Sequence, residues 1–320
     1  MILLSGIPSE SSLARVHQQV TELGVPHLLV NQRWVRELAM ACEVNGAGVT
    51  GYLTVRGIDY PVEAFTGVFL RLMDDAELPE VRSEAEGSPL RRHSRDLHET
   101  LYRWSQIAPA VVVNRPDAMA SNGSKPYQAQ LIAEQGLEVP ATLLTTDPEE
   151  VLHFRRHHGR LVYKSISGAR SVVRELQDED LARLDDIRWC PVQFQEYVDG
   201  LDVRVHVVGR QVFATAIRSE ASDYRYAMRL LGDAPALTAV ELSDPLAEQC
   251  IKLTAALGLE FSGIDLRVTP DGRSVCFEVN PSPAFSYYES HTGQPIAAAV
   301  ARHLAGIAQS SPTPAFAASR

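Results

Sequence analysis

The stretch that most constrains this chain is Gly263–Phe285, GIDLRVTPDGRSVCFEVNPSPAF. GIDLRV and SVCFEVN are apolar, β-branched runs, and PDG between them is a turn signal, so the stretch reads as a β-hairpin. Side chains alternate faces along a strand. Glu278 and Asn280 therefore share a face, and Asp265 joins them if the register sets it opposite. Two carboxylates and an amide oxygen on one face suit a hard cation such as Mg²⁺, which keeps its other positions for water and phosphate. The bland alternative is an exposed face carrying ordinary charges.

The rest of the chain adds cations in a definite order. Lys125 stands at the start of the helix PYQAQLIAEQGL, where it adds positive charge to an end that already attracts anions; taken alone it is a surface lysine. Lys164 lies within the apolar strand LVYKS, a costly place for an amine unless it meets an anion. The loop Ser165–Ser171 after it is small and hydroxyl-rich; backbone amides around Ser167 could cover phosphates, with Gly168 allowing close approach. VQFQEYV follows as a strand carrying Gln195, Glu196, Tyr197 and Val198. A hairpin then turns at Gly209-Arg210, with Asp202 and Arg204 on one face of its first strand and Arg218 ending its second.

Ahead of these, residues 1–85 read as a small α/β unit: strand MILLSG, a helix with Leu13, Val16, Val20 and Leu23 at helical spacing, strand VPHLLVN, then NQRWVRELAMACEV as a second helix. YLTVRG and IDYPVEA read as a hairpin and GVFLRL as a strand. GAGVTG (Gly46, Gly48, Gly51) matches a dinucleotide fingerprint by letter, but it follows a helix-like run and leads into a strand, the reverse of what a pyrophosphate turn needs, so it reads as a loop. Arg71, at a strand's carboxyl end, either holds an anionic substrate or is solvated. Residues 74–88 are acidic and loop-like, and 90–108 form a helix. Thr146 is the expected N-cap of the helix PEEVLHFRRHHG, with Glu149 completing a capping box. His153 and His157 in that helix lack a third ligand nearby and suit the helix C-terminus instead.

Taken in order, the motifs resemble the ATP-grasp superfamily, nearest to the ribosomal-protein glutamate ligase-like branch, over about residues 110–305. The resemblance implies an α/β (α+β) ATP-grasp fold: an N-terminal domain at 1–85, a linker helix at 86–109, a central subdomain at 110–192 and a C-terminal subdomain at 193–306; the Ser/Pro/Ala-rich composition of 307–320 reads as a disordered tail. It implies ATP and two Mg²⁺ ions. Lys125 and Lys164 would bind phosphates under a Ser165–Ser171 lid, Gln195–Val198 would recognise adenine, and Asp202 the ribose. Arg204 and Arg218 would face the γ-phosphate and the acyl phosphate, and Asp265, Glu278 and Asn280 would hold metal. Arg71, Arg225 and Ser282 are substrate-side candidates. The implied activity activates a carboxylate as an acyl phosphate and joins it to an amine, or less often a hydroxyl. Graspetide macrocyclases form a neighbouring branch, and a non-catalytic nucleotide-binding regulator and a phosphotransferase are the competing classes.

Composition narrows the setting. A net charge of -10 argues against a general nucleic-acid binder. Cys42, Cys190, Cys250 and Cys276 show no paired spacing, as expected of reduced thiols in a cytoplasmic protein. No run of apolar residues is long enough for a membrane helix. Small-molecule or peptide substrates are the expected partners, and homo-oligomer formation is left open.

Overall fold

The computed structural model describes residues 1–165, 173–190, 192–218 and 235–307. The expected tail from 308 onward lies outside them.

Strand β1 (Ile2–Gly6) is buried along its whole length. Helix α1 (Ser11–Glu22) follows, its N-terminus capped by the Glu10 carboxylate on Leu13 N, and it turns Leu13, Val16 and Val20 inward. Strand β2 (His27–Asn31) pairs parallel with β1. The next segment departs from the sequence reading. Only Val35–Glu37 makes a helical turn, and NQRWVRELAMACEV continues as strand β3 (Leu38–Asn45). Its apolar residues recur every second position: Leu38 and Met40 face Val55 and Leu53 of β4 (Gly48–Val55), and β5 (Ile58–Pro61) completes a three-stranded sheet. Helix propensity gives way to this period-two burial. The glycine cluster is the β3–β4 turn and the start of β4, not a free loop. A Cβ at Gly51 would run into the backbone of Ala41.

Strand β6 (Gly67–Arg71) returns to the other side of β1, and helix α2 (Pro89–Ile107) buries Leu101 and Trp104 behind it. The acidic segment before α2 is more than a linker, since Leu78 and Val81 pack against Val35 in a small core. Strand β7 (Val111–Val113) pairs with β6, giving the parallel order β2-β1-β6-β7. The sequence reading placed β7 in the central subdomain; its hydrogen bonds go to the N-terminal sheet.

Helices α3 (Pro116–Met119) and α4 (Lys125–Glu134) lead to a four-stranded antiparallel unit: β8 (Thr142–Thr145), α5 (Pro148–His158), β9 (Leu161–Ser165), β10 (Arg174–Glu175) and β11 (Val192–Glu196), in the order β10-β9-β11-β8. Asp147, rather than Thr146, caps α5 by accepting from Glu149 N. A five-stranded sheet follows, β14-β13-β12-β15-β16. It is built from β12 (Leu201–Val208), β13 (Gln211–Arg218), β14 (Ala236–Val240), β15 (Phe261–Val268) and β16 (Ser274–Asn280), with α6 (Asp244–Ala256) packed behind. The edge strand β14 has no counterpart in the sequence reading. Ile132 of α4 and Leu137 sit in this sheet's core, not in that of the four-stranded unit. Helices α7 (Ser286–Thr292) and α8 (Ile296–Leu304) follow. Helix α8 closes the molecule by packing on Ile2, Leu4, Leu13 and Val16. Among the described residues no helix is long and apolar enough to cross a membrane.

Buried Asn114, just after β7, joins the N-terminal sheet to the C-terminal one. Its amide donates to Phe261 O (2.6 Å) and Pro281 O (2.5 Å), and its oxygen accepts from Glu260 N (2.8 Å) and Phe261 N (3.0 Å). Asn114→Ala strands these groups and is expected to cost about 3 kcal/mol, read as a lower urea midpoint with an unchanged slope.

Candidate functional site

The β15–β16 hairpin carries the predicted acidic face. Asp265 pairs directly with Glu278, and a bulge lies just beyond, where Leu266 pairs with Cys276 and Phe277 is the extra residue. Across β12 the register continues, because Arg204 stands opposite Asp265. One row therefore runs Arg204, Asp265, Glu278 over three strands. Arg204 Nη1 donates to Asp265 Oδ1 at 2.6 Å, and Lys125 Nζ reaches Glu278 Oε2 at 3.2 Å from the start of α4. Asn280, one pleat beyond Glu278, accepts from Ser282 N at 2.8 Å and keeps a second lone pair. Two facing carboxylates and a neighbouring amide oxygen fit a hard divalent cation, with Lys125 and Arg204 offsetting their charge. Among the described residues no group of three or more His, Cys, Asp or Glu gathers in this way, so the amide is what makes a third donor.

This face forms one wall of a cleft with about 840 Å³ of free space, its open mouth included. Lys164, Gln195, Glu196, Tyr197, Val198 and Asp202 line it with Asp265 and Glu278, so the sequence-predicted lysine and hinge residues converge on the carboxylates. Glu196 accepts from Ala141 N at 3.0 Å and Gln195 donates to Thr142 Oγ1 at 3.0 Å, which ties the two chain crossings into the four-stranded unit. Tyr197 lies under the guanidinium of Arg160 (3.7 Å) and near that of Arg267 (5.9 Å). Arg267 is a residue the sequence reading missed. It donates to Asp202 through Nε at 2.8 Å, lies 2.7 Å from it through Nη2, and binds Val198 O at 2.8 Å. Its direct register opposite Asp202 is the signal that could have found it. Ser167 and Gly168 lie outside the described residues.

A second cleft opens at the carboxyl ends of β1 and β6, where the parallel order reverses direction, a usual place for a ligand. Ser9, Glu10, Arg71, Tyr102, Met119 and Ser282 are among its lining residues, with about 1100 Å³ of free space, mouth included. Arg71 donates to Ser282 Oγ (2.7 Å) and to Glu10 Oε1 (3.0 Å), so this cleft adjoins the loop that follows Asn280. Burial pushes the Glu10 carboxyl up, but Arg71 and the Leu13 and Ser12 amides outweigh it and hold the group below its ordinary range. Arg218 is exposed at the end of β13, away from the row of charges on the paired strands, and Arg225 lies outside the described residues.

Behind Arg204 the packing is tight. His206 is wholly buried against Tyr288 (5.0 Å between rings) and Phe261, and burial together with the Arg204 charge keeps its imidazole neutral, well below the usual titration range. In front, Gly263 leaves room for the guanidinium: a Cβ there would lie 2.7 Å from Arg204 Cζ and 2.7 Å from Pro283 Cβ.

Two α+β units meeting at a cleft, with Lys164 and the hinge strand on one side and a carboxylate pair, backed by Lys125, on the other, define an ATP-grasp fold. The profile of the RimK-like ATP-grasp domain matches residues 122–304, more than half of the chain, which therefore belongs to that family. A probable alpha-L-glutamate ligase of Xylella fastidiosa (strain M12) is 31% identical over 202 residues, 60% of this chain and 66% of that protein. Solved relatives span nearly the whole chain. A RiPP-associated ATP-grasp ligase of Chryseobacterium gregarium, in complex with ADP and a leader and core peptide, has a TM-score of 0.80 at 21% identity, covering 95% of this chain and 96% of that one. The ATP-grasp ligase PsnB, with minimal precursor, Mg and ADP, has a TM-score of 0.75 at 28% identity, covering 95% and 97%.

Gly263→Ala is expected to displace the guanidinium from Asp265 and lower turnover about 10²-fold while the protein stays folded, the size that a misplacement of about 1 Å produces. Steady-state kinetics beside a far-ultraviolet dichroism spectrum check this.

Proposed function

We propose that this protein is an ATP-dependent ligase that activates a carboxylate as an acyl phosphate and joins it to an amine. The observation that carries the reading is that Lys125 pairs with Glu278 while Lys164, from a separate element, lines the same cleft as Asp265 and Glu278. Lys125 and Lys164 bind the phosphates of ATP, the main chain and side chains of Gln195–Val198 hold adenine, and Asp202, oriented by Arg267, takes the ribose hydroxyls. Asp265, Glu278 and Asn280 would hold Mg²⁺, two ions in this reading, which supplies Lewis-acid charge at the phosphates.

A substrate carboxylate oxygen attacks the γ-phosphorus, the bond to the β–γ bridging oxygen breaks, and ADP leaves. The amine nitrogen then attacks the acyl carbon, inorganic phosphate departs, and the nitrogen gives up a proton. No side chain need act as a nucleophile. The chain supplies alignment and fixed positive charge, with Arg204 at the developing negative charge. The Arg71–Glu10 pair and Ser282 line the substrate side, where the cleft at the N-terminal sheet meets the metal face.

The solved relatives favour a peptide as the substrate. Two of them are ligases holding a precursor or a leader and core peptide, which supports the macrocyclase reading, in which carboxylate and amine belong to one peptide. The glutamate ligase relative supports addition of a free amino acid. Mass spectrometry separates them: an intramolecular bond removes one water from the peptide, whereas ligation adds an amino-acid residue. Incubation of the enzyme with MgATP, pooled amino acids and peptides encoded beside it is expected to yield ADP and a condensed product. Glu278→Ala is expected to abolish both, and ADP release unaffected by this change would overturn the proposal. Arg71→Ala is expected to raise the KM of the carboxylate or amine substrate about tenfold or more and to leave the KM for ATP unchanged.

A further inference from the structure

We infer that Gln128 is a positioning residue for the metal-bearing strand, setting the geometry of Glu278 and Asn280 through the two peptide groups of Val279 between them. The inference rests on the reading of those two residues as metal ligands.

Among the described residues strand β16 is the outermost strand of its sheet, so no described strand neighbours the outward N–H and C=O of Val279. Gln128 takes both. Its amide nitrogen donates to Val279 O at 2.8 Å, and its amide oxygen accepts from Val279 N at 3.0 Å. The two bonds fix which end of the amide is which. Gln128 is 1% exposed, so neither bond competes with water.

Three features make this grip specific to the site. Val279 separates Glu278 from Asn280, so the two held peptide groups are the ones that join it to the two donor residues. The bulge beside Asp265 loosens the β15–β16 register one step from Glu278, where an outside restraint has most effect. Lower on the same edge the chain itself does the work: Glu138 bridges to Val275 and its carbonyl accepts from Cys276 N at 2.8 Å. Gln128 and Lys125 lie three apart on α4 and share a face, and Lys125 meets Glu278. One helical turn thus fixes both the backbone of the ligand strand and the cation beside its carboxylate.

The test uses the full-length protein. ADP binding is titrated calorimetrically over a series of Mg²⁺ concentrations, alongside thermal unfolding, for Gln128→Met, which keeps the shape and loses both bonds, and for Gln128→Ala. Ile132→Val, in the buried core of the same helix, serves as the destabilised control, and Glu278→Gln tests the underlying assignment. The half-saturating Mg²⁺ concentration is expected to rise about tenfold in both Gln128 variants, the usual effect of losing an outer partner of a metal ligand, and to stay at the wild-type value in Ile132→Val. If it stays within twofold of wild type in a folded Gln128 variant whose unfolding temperature has dropped, Gln128 is only structural and the inference fails. If Gln128→Met does not fold, Gln128→Ala decides. If Glu278→Gln leaves the Mg²⁺ dependence unchanged, the metal assignment itself falls, which is distinguishable from failure of the Gln128 role.

Discussion

Two carboxylates placed directly opposite each other on neighbouring strands repel, and nearly every feature of this site follows from how that repulsion is offset. The row across the C-terminal sheet reads Arg204, Asp265, Glu278, Lys125, a sequence of charges plus, minus, minus, plus over three strands and a helix. The end cations hold the inner pair together while leaving their common face open to something more strongly charged. In the proposed reading Asp265 and Glu278 would hold a divalent cation that supplies this offsetting charge, with Arg204 and Lys125 beside it to meet phosphate.

The supporting structure is arranged around keeping this row straight. Gly263 gives up a side chain so that Arg204 can lie flat. His206, neutral and buried, fills the space behind with Tyr288 without adding a second cation. Asn114 holds the sheet from the N-terminal side, at the start of β15 and just past Asn280. These residues belong to segments far apart in the chain, and each acts through a backbone contact or an excluded volume, not through chemistry of its own.

That distribution explains what could be read from the residues alone. The acidic hairpin was legible because alternation and a turn signal are local, and Lys125, Lys164 and the Gln195–Val198 strand because their order is distinctive. The segment 31–44 misled because its charged and apolar residues suit a helix until the partner strand β4 is known, and β14 was missed because its alternation is weak and it lies on an edge. Asn114 and Gln128 were out of reach for a related reason. An amide that completes a hydrogen bond to a distant backbone looks like any other amide until the register across strands is fixed.

The packing of α4 has a further consequence. Its Ile132 and the following Leu137 belong to the core of the five-stranded sheet, whereas Lys164 stands on β9 of the four-stranded unit, whose core is separate. Lys125, paired with Glu278, and Lys164, which lines the cleft beside that carboxylate, thus stand on units with separate cores. Any tilt of the four-stranded unit about its crossings at Ala141 and Glu196 alters the span from Lys164 to the acidic pair and leaves that from Lys125 constant. Lys125 would then act as a fixed electrode and Lys164 as a travelling one, so the same anion would feel a field that strengthens as the jaws approach.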